Sequence, residues 1–256
     1  MEKQSFSEKP KKKIKFNHHK NLSDKVLAVI AGRSGGGKTW LLFKILTTPN
    51  FLDYDNLIIY TSTYEQPIYQ FLKYGFENNL TKSAIHYLFK VYDDSENEEN
   101  IEEMCIEAAK NRMLVATSPP ISVLLTDNMG ELTNPSKLPS NKKSCIIFDD
   151  LVTEKDQSIQ KTYFTRGRHA KCSCFYLTQS FFNVDGGIIR KNANIFILFE
   201  LNGRNLTEVL KDLSVGNKDN FKQTCRNAWD KKYNYITVNL DKPMSKRVIE
   251  DLFDEN

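Results

Sequence analysis

Residues Gly32-Arg33-Ser34-Gly35-Gly36-Gly37-Lys38-Thr39 match the pattern G-x-x-x-x-G-K-[ST] at every fixed position. The chemistry such a run can do is phosphate binding. Glycines let successive backbone N–H groups curl around phosphate oxygens, and a helix that starts here adds the positive end of its dipole. Lys38 is placed to reach β- and γ-phosphates. The Thr39 hydroxyl is placed to hold Mg²⁺, and Trp40 completes the nucleotide-binding run Gly32–Trp40. A second feature follows a short apolar stretch, Cys145-Ile146-Ile147-Phe148, which ends in Asp149-Asp150. An acid at the end of a hydrophobic strand can orient Mg²⁺ through its water shell, the role assigned to Asp149. Asp150 is then the group that polarises an attacking water. Taken alone, an Asp-Asp pair after an apolar run reads as a turn or a helix cap.

Two further candidates lie downstream. Tyr176-Leu177-Thr178-Gln179 ends another apolar run, and Gln179 could bond a γ-phosphate or the attacking water, or be an ordinary loop glutamine. Between the two runs lie Arg166 and Arg168. Either could act in trans on a transferring phosphoryl group, contact nucleic-acid phosphates, or make a surface ion pair. His169, Cys172 and Cys174 lack a fourth metal ligand at a useful spacing, so the cysteines read as buried strand residues.

The elements needed to hold these residues are legible. Val26–Ala31 reads as a strand and Trp40–Leu46 as a helix, so the glycine run sits between strand and helix, where a phosphate loop must sit. Asn56–Tyr60, Ile85–Tyr92, Ser144–Phe148, Cys172–Thr178 and Ile195–Glu200 read as strands. Tyr233–Leu240 reads as a late edge strand. Gln66–Tyr74, Ile101–Met113, Lys155–Phe164, Leu206–Leu213 and Asn220–Trp229 read as helices. Residues 114–143 carry Pro119, Pro120, Pro135 and Pro139 and read as loop around one short element at Ile121–Leu125. Strands apolar on both faces, alternating with helices, indicate an α/β fold with a mostly parallel sheet covered on both sides.

The chain has 256 residues, 40% of them apolar and 27% charged, with a net charge of +4. That length accommodates a full core, and no apolar run is long enough for a membrane span. The first residues lack an apolar core segment, so secretion is not expected. Five cysteines without a C-x-x-C pair fit free thiols inside a cell. Lys9, Lys11, Lys12, Lys13, Lys15 and Lys20 make residues 1–24 a basic, disordered leader, and 25–256 are expected to form one domain. Asp93, Asp94, Glu96, Glu98, Glu99, Glu102 and Glu103 form an acidic surface stretch without metal-site spacing.

The order of these motifs resembles a known group. Gly32–Thr39, then Ile146–Asp150, Gly167-Arg168-His169, and Leu177-Thr178-Gln179-Ser180 look like the genome-packaging ATPases of large DNA viruses and virophages. That group is the poxvirus-type branch of the FtsK–HerA superfamily. Over roughly residues 25–240, the resemblance implies a P-loop NTPase fold of the additional-strand, RecA-like type, with the sensor strand between the Walker A and Walker B strands. It implies an ATP hydrolase using ATP and Mg²⁺ that drives double-stranded DNA into a preformed capsid. It further implies a homo-oligomeric ring, hexameric or pentameric, a capsid or portal partner, and residence in host cytoplasm or a viral factory, with the nucleus open. One departure is Asp150, where many relatives carry Glu. Lys and Arg at 161, 166, 168, 171, 190, 191, 222, 226, 231, 232, 246 and 247 suit contacts to DNA phosphates, with Asn192 and Asn194 as neutral additions. The competing readings are a nucleotide or nucleoside kinase, and an ATP-gated DNA-binding protein without motor activity.

Overall fold

All five residues of the strand before the glycine run, Leu27–Ala31 (β1), are buried. A strand so placed must have helices on both sides. The computed structural model describes residues 15–95, 100–151 and 156–254. β1 runs into α1 (Lys38–Thr47), then β2 (Asn56–Thr61), α2 (Pro67–Glu77), α3 (Lys82–Asp94), α4 (Ile101–Lys110) and β3 (Ser122–Thr126). The second half continues through β4 (Ser144–Asp149), α5 (Ser158–Arg166), β5 (Cys172–Thr178), α6 (Ile189–Asn192), β6 (Ile195–Leu198), α7 (Gly203–Asp212), α8 (Lys218–Trp229), β7 (Ile236–Asn239) and β8 (Val248–Ile249).

The eight strands form one sheet in the order β3-β2-β4-β5-β1-β6-β7-β8. The first six are parallel, whereas β7 and β8 pair antiparallel. β5 therefore separates β1 from β4, which is the additional-strand arrangement. The fold is an α/β P-loop type with helices on both faces of a mostly parallel sheet. Strand alternation divides the core. Ala28 and Ile30 face the layer that contains α1, α2, α3 and α4, and Leu27, Val29 and Ala31 face the layer of α5, α6, α7 and α8.

Three segments differ from the sequence expectation. Ile85–Tyr92 lies within α3 rather than a strand. Its apolar residues Ile85, Leu88, Phe89 and Tyr92 recur at helical spacing, and the Thr81 side chain caps the helix by accepting from the Ala84 N–H at 3.1 Å. β7 is not an edge strand, because β8 pairs with it. Asn194 is not available to DNA: it is buried, its Oδ1 accepts from the Leu27 N–H at 2.8 Å, and its Nδ2 donates to Lys25 O at 2.8 Å and Asp241 Oδ2 at 2.7 Å. The short element in the proline-rich stretch is β3, one edge of the sheet.

Lys9, Lys11, Lys12, Lys13, Lys155, Glu96, Glu98 and Glu99 lie outside the described residues. Residues 15–24 lie against the domain. The Asn17 N–H donates to Asp53 Oδ2 at 2.8 Å, and the Asp53 N–H donates to His18 Nδ1 at 3.0 Å. Leu22 and Ser23 are buried, and Asn21 Nδ2 donates to the carbonyls of Leu252 and Asp254, both at 3.1 Å.

Candidate functional site: a phosphate loop and an acid pair at the carboxyl ends of the strands

In a parallel sheet every strand delivers its last residue to the same edge, so β1, β4 and β5 bring their following loops together. The loop after β1 is shaped by close approach. A Cβ at Gly32 would sit 2.5 Å from Phe199 Cβ, so only glycine fits against the loop after β6. Gly37 caps α1 at φ 97, a conformation glycine adopts without strain. The cap has no acidic side chain, and the first turn of α1 contains none, so the N–H groups there are left for an anion.

Lys38 is buried, and its Nζ donates to Gly32 O at 2.8 Å and Arg33 O at 2.9 Å. The ammonium therefore braces the loop from within. Burial lowers its pKa, and the carboxylates of Asp149 and Asp150 oppose that shift. Arg33 points outward, where it pairs with Glu200 at 3.0 Å.

Asp149 is the last residue of β4 and is buried. Burial raises its pKa, and the Asp150 charge adds to the rise. Hydrogen bonds from the Tyr69 hydroxyl and the Asp150 N–H, together with Lys38, pull the other way. The Asp150 N–H donates to Asp149 Oδ1 at 2.9 Å, and the Tyr69 hydroxyl, from α2, donates to Asp149 Oδ2. Tyr69 also interacts with the Thr39 side chain, so the hydroxyl of Thr39 and the carboxylate of Asp149 converge on one buried phenol. Those two oxygens fit Mg²⁺, a hard cation that keeps several waters and takes one or two protein oxygens. Among the described residues no cluster of three or more His, Cys, Asp or Glu side chains could hold a metal alone. Asp150 follows at φ 53, and the Ser62 hydroxyl donates to its carbonyl at 2.8 Å. This bend turns the chain away from the sheet immediately after the acid.

These residues share a cavity of about 1080 Å³, walled by Ser34–Trp40, Asp149, Asp150 and Gln179. Gln179 is exposed in the loop after β5. Gly32 and Arg33 do not line this cavity; Arg33 borders a smaller one of about 230 Å³ beside the loop. Gln66, Asp93 and Tyr233 do line it, although no sequence motif marks them. Tyr69 was missed for the same reason. Its only signal is a tyrosine within a helix that follows a strand, which ordinary core packing also produces.

The structure does not bring Arg166 and Arg168 to this cavity. They lie at the end of α5, in the chain leading to the start of β5. A seven-residue strand puts them roughly 20 Å from the strand ends that hold the acids. Arg166 is exposed, and Arg168 donates to Asn192 O at 2.9 Å. Several of the other cations are already engaged. Lys161 pairs with Asp185 at 3.0 Å, Arg190 with Asp212 at 2.9 Å and Lys222 with Asp219 at 3.2 Å, and Arg247 donates to Ser214 O at 2.8 Å. His169 is exposed, whereas Cys172 and Cys174 are buried in β5. No helix among the described residues is long and apolar enough to cross a membrane.

No protein-family model and no curated protein matches the chain. Among solved structures, the chain is similar to the genome packaging NTPase B204 from Sulfolobus turreted icosahedral virus 2 in complex with ATP-gammaS, at 13% identity over 89% of this chain and 97% of that one, with a TM-score of 0.49. It is similar to B204, the DNA-packaging ATPase from Sulfolobus turreted icosahedral virus, at 17% identity over 87% and 94%, with a TM-score of 0.49. VirB4 of Thermoanaerobacter pseudethanolicus is similar at 9% identity over 86% and 87%, with a TM-score of 0.46. The chemistry of the site rests on its own residues.

Proposed function

We propose that this chain is an ATP hydrolase that works as a double-stranded DNA translocase and packages a viral genome into a preformed capsid. The observation that carries the hydrolase reading is the meeting of Lys38, Thr39, Asp149, Asp150 and Gln179 around one cavity at the carboxyl edge of the sheet, with β5 lying between β1 and β4. The viral and capsid part rests on the resemblance of the motif order. The division into a basic leader and one ATPase domain belongs to the same proposal, with residues 15–24, expected in the leader, lying against the domain instead.

In this reading the triphosphate lies along Ser34–Thr39. Lys38 exchanges its loop carbonyls for β- and γ-phosphate oxygens, and that exchange carries its charge from the loop to the ligand. Thr39 and Asp149 would hold Mg²⁺, which would neutralise phosphate charge when bound. Tyr69 keeps the Asp149 carboxylate in one orientation. Asp150 polarises the attacking water, and Gln179 orients it or bonds the γ-phosphate. Because Arg166 and Arg168 lie far from their own cavity, either reaches a nucleotide only across a subunit boundary. A homo-oligomeric ring, hexameric or pentameric, supplies that boundary, and cations turned towards the ring axis supply sequence-independent phosphate contacts.

ATP turnover with and without duplex DNA tests the proposal. The wild-type chain is expected to hydrolyse ATP faster with duplex, and Lys38→Ala to lose turnover in both conditions. Transfer of phosphate to a nucleoside acceptor, with no response to DNA, would replace the motor reading with that of a kinase.

A further inference from the structure

One side chain in the cavity is unexplained by the motifs. Tyr233, in the loop between α8 and β7, lines both the large cavity and the smaller one beside the phosphate loop. Its backbone sits at φ 64, a region that bulky side chains rarely adopt. Neighbours hold it there. The Asn234 N–H donates to Lys231 O at 3.1 Å, the Trp229 indole N–H donates to Leu198 O at 3.0 Å, and the adjacent Tyr235 ring packs on Phe199 with centroids 5.4 Å apart. Backbone strain that the surroundings impose concentrates where a side chain must be aimed.

The Tyr233 ring is aimed at the phosphate loop. A Cβ built on Gly37 would lie 3.5 Å from Tyr233 Cδ1 and 3.4 Å from the Phe199 ring, ordinary van der Waals distances, so the tyrosine ring lies directly beside the phosphate loop. The residue nonetheless stays 56% exposed, and the Lys232 ammonium lies 4.6 Å from the ring centroid. Contacts within the chain thus fix the backbone there, but they do not bury the ring. A largely exposed tyrosine, with a lysine ammonium over its ring and set beside a phosphate-binding loop, suits a flat aromatic ring whose phosphate tail enters that loop.

We propose that Tyr233 is the platform on which the purine base of a bound nucleoside triphosphate stacks. This rests on the nucleotide-binding reading above, and it names the base half of that site. Calorimetry on the full chain with Mg²⁺ tests it, using ATP and inorganic tripolyphosphate as separate ligands. Tyr233→Ala is expected to weaken ATP binding roughly tenfold, the usual effect of losing one base–aromatic stack, and to leave tripolyphosphate binding unchanged. Tyr233→Gly, which tolerates the positive φ, is expected to match Tyr233→Ala at an undiminished melting temperature, and Tyr233→Phe to bind as the wild type does. Lys38→Ala is expected to weaken both ligands. ATP affinity in Tyr233→Ala within twofold of wild type overturns the proposal, as does an equal loss for both ligands, and either result leaves the nucleotide reading standing. A wild-type chain that binds neither ligand removes that reading and this proposal together.

Discussion

Lys38, Asp149 and Asp150 meet because each stands within two residues of a strand end or helix start that the sheet aligns. At this scale the sequence is informative where a residue type has few other uses. A G-K-T run after an apolar strand has one common purpose, and an acid ending an apolar strand has few. Tyr69 and Tyr233 carry no such mark, since their roles depend on which distant residues the fold brings beside them. Asp149→Ala and Asp150→Ala are each expected to lower kcat by roughly 10²–10⁴, the span for a lost water-activating or charge-stabilising group. Steady-state hydrolysis checks this, and an Asp150→Ala chain with full turnover would move the base elsewhere. Tyr69→Phe keeps the ring in the core but removes the hydrogen bond to Asp149. Titration with Mg²⁺ should then need roughly 10–100 times more cation for half-maximal turnover, the usual penalty for losing a group that orients a metal ligand. An unchanged Mg²⁺ midpoint would make Tyr69 a packing residue only.

Elements were legible to the extent that their apolar pattern was unambiguous. β1, β4 and β5 are wholly buried, so their runs read directly as strands. Ile85–Tyr92 misleads because its polar and apolar residues also alternate over part of its length; the capping threonine at position 81 was the better guide. β8 has only two residues and no pattern to read. Asn194 exemplifies a polar residue whose role is tertiary. Asn194→Ala strands the Leu27 N–H and the Lys25 carbonyl at the entry to β1, so denaturant unfolding should report a loss of about 2–4 kcal/mol. An unaltered midpoint would contradict that. His18 ties residues 15–24 to the domain. Burial holds its pKa at about 4, against an ordinary 6.5, although the Asp53 charge pulls upward. A depressed pKa means that the folded chain resists protonation. Stability from this group is intact above pH 6.5 and is lost as pH falls towards about 4. Between pH 7.5 and 5 the wild type should therefore lose roughly 4–8 °C more in melting temperature than His18→Gln, as about 2 kcal/mol would give in a domain this size. Equal losses would mean that another group controls the acid limb.

The whole molecule has an asymmetry that a single chain leaves open. The nucleotide cavity sits at one edge of the sheet, and Arg166 and Arg168 sit at the other, a separation hidden in the linear sequence because only about a strand's length of chain divides Arg168 from Gln179. In a ring, one subunit's arginine edge can face the next subunit's nucleotide. Mixing Arg168→Ala subunits with Asp150→Ala subunits should restore part of the turnover that each lacks, since some boundaries then pair an intact cavity with an intact arginine. No recovery would count against Arg168 as the trans group. Coupling of hydrolysis to movement along DNA is read out by displacement of a third strand from a duplex. Displacement is expected with ATP and Mg²⁺, and none with Asp150→Ala or a non-hydrolysable analogue. Brisk ATP hydrolysis in the presence of the triplex, with the third strand left in place, would contradict it.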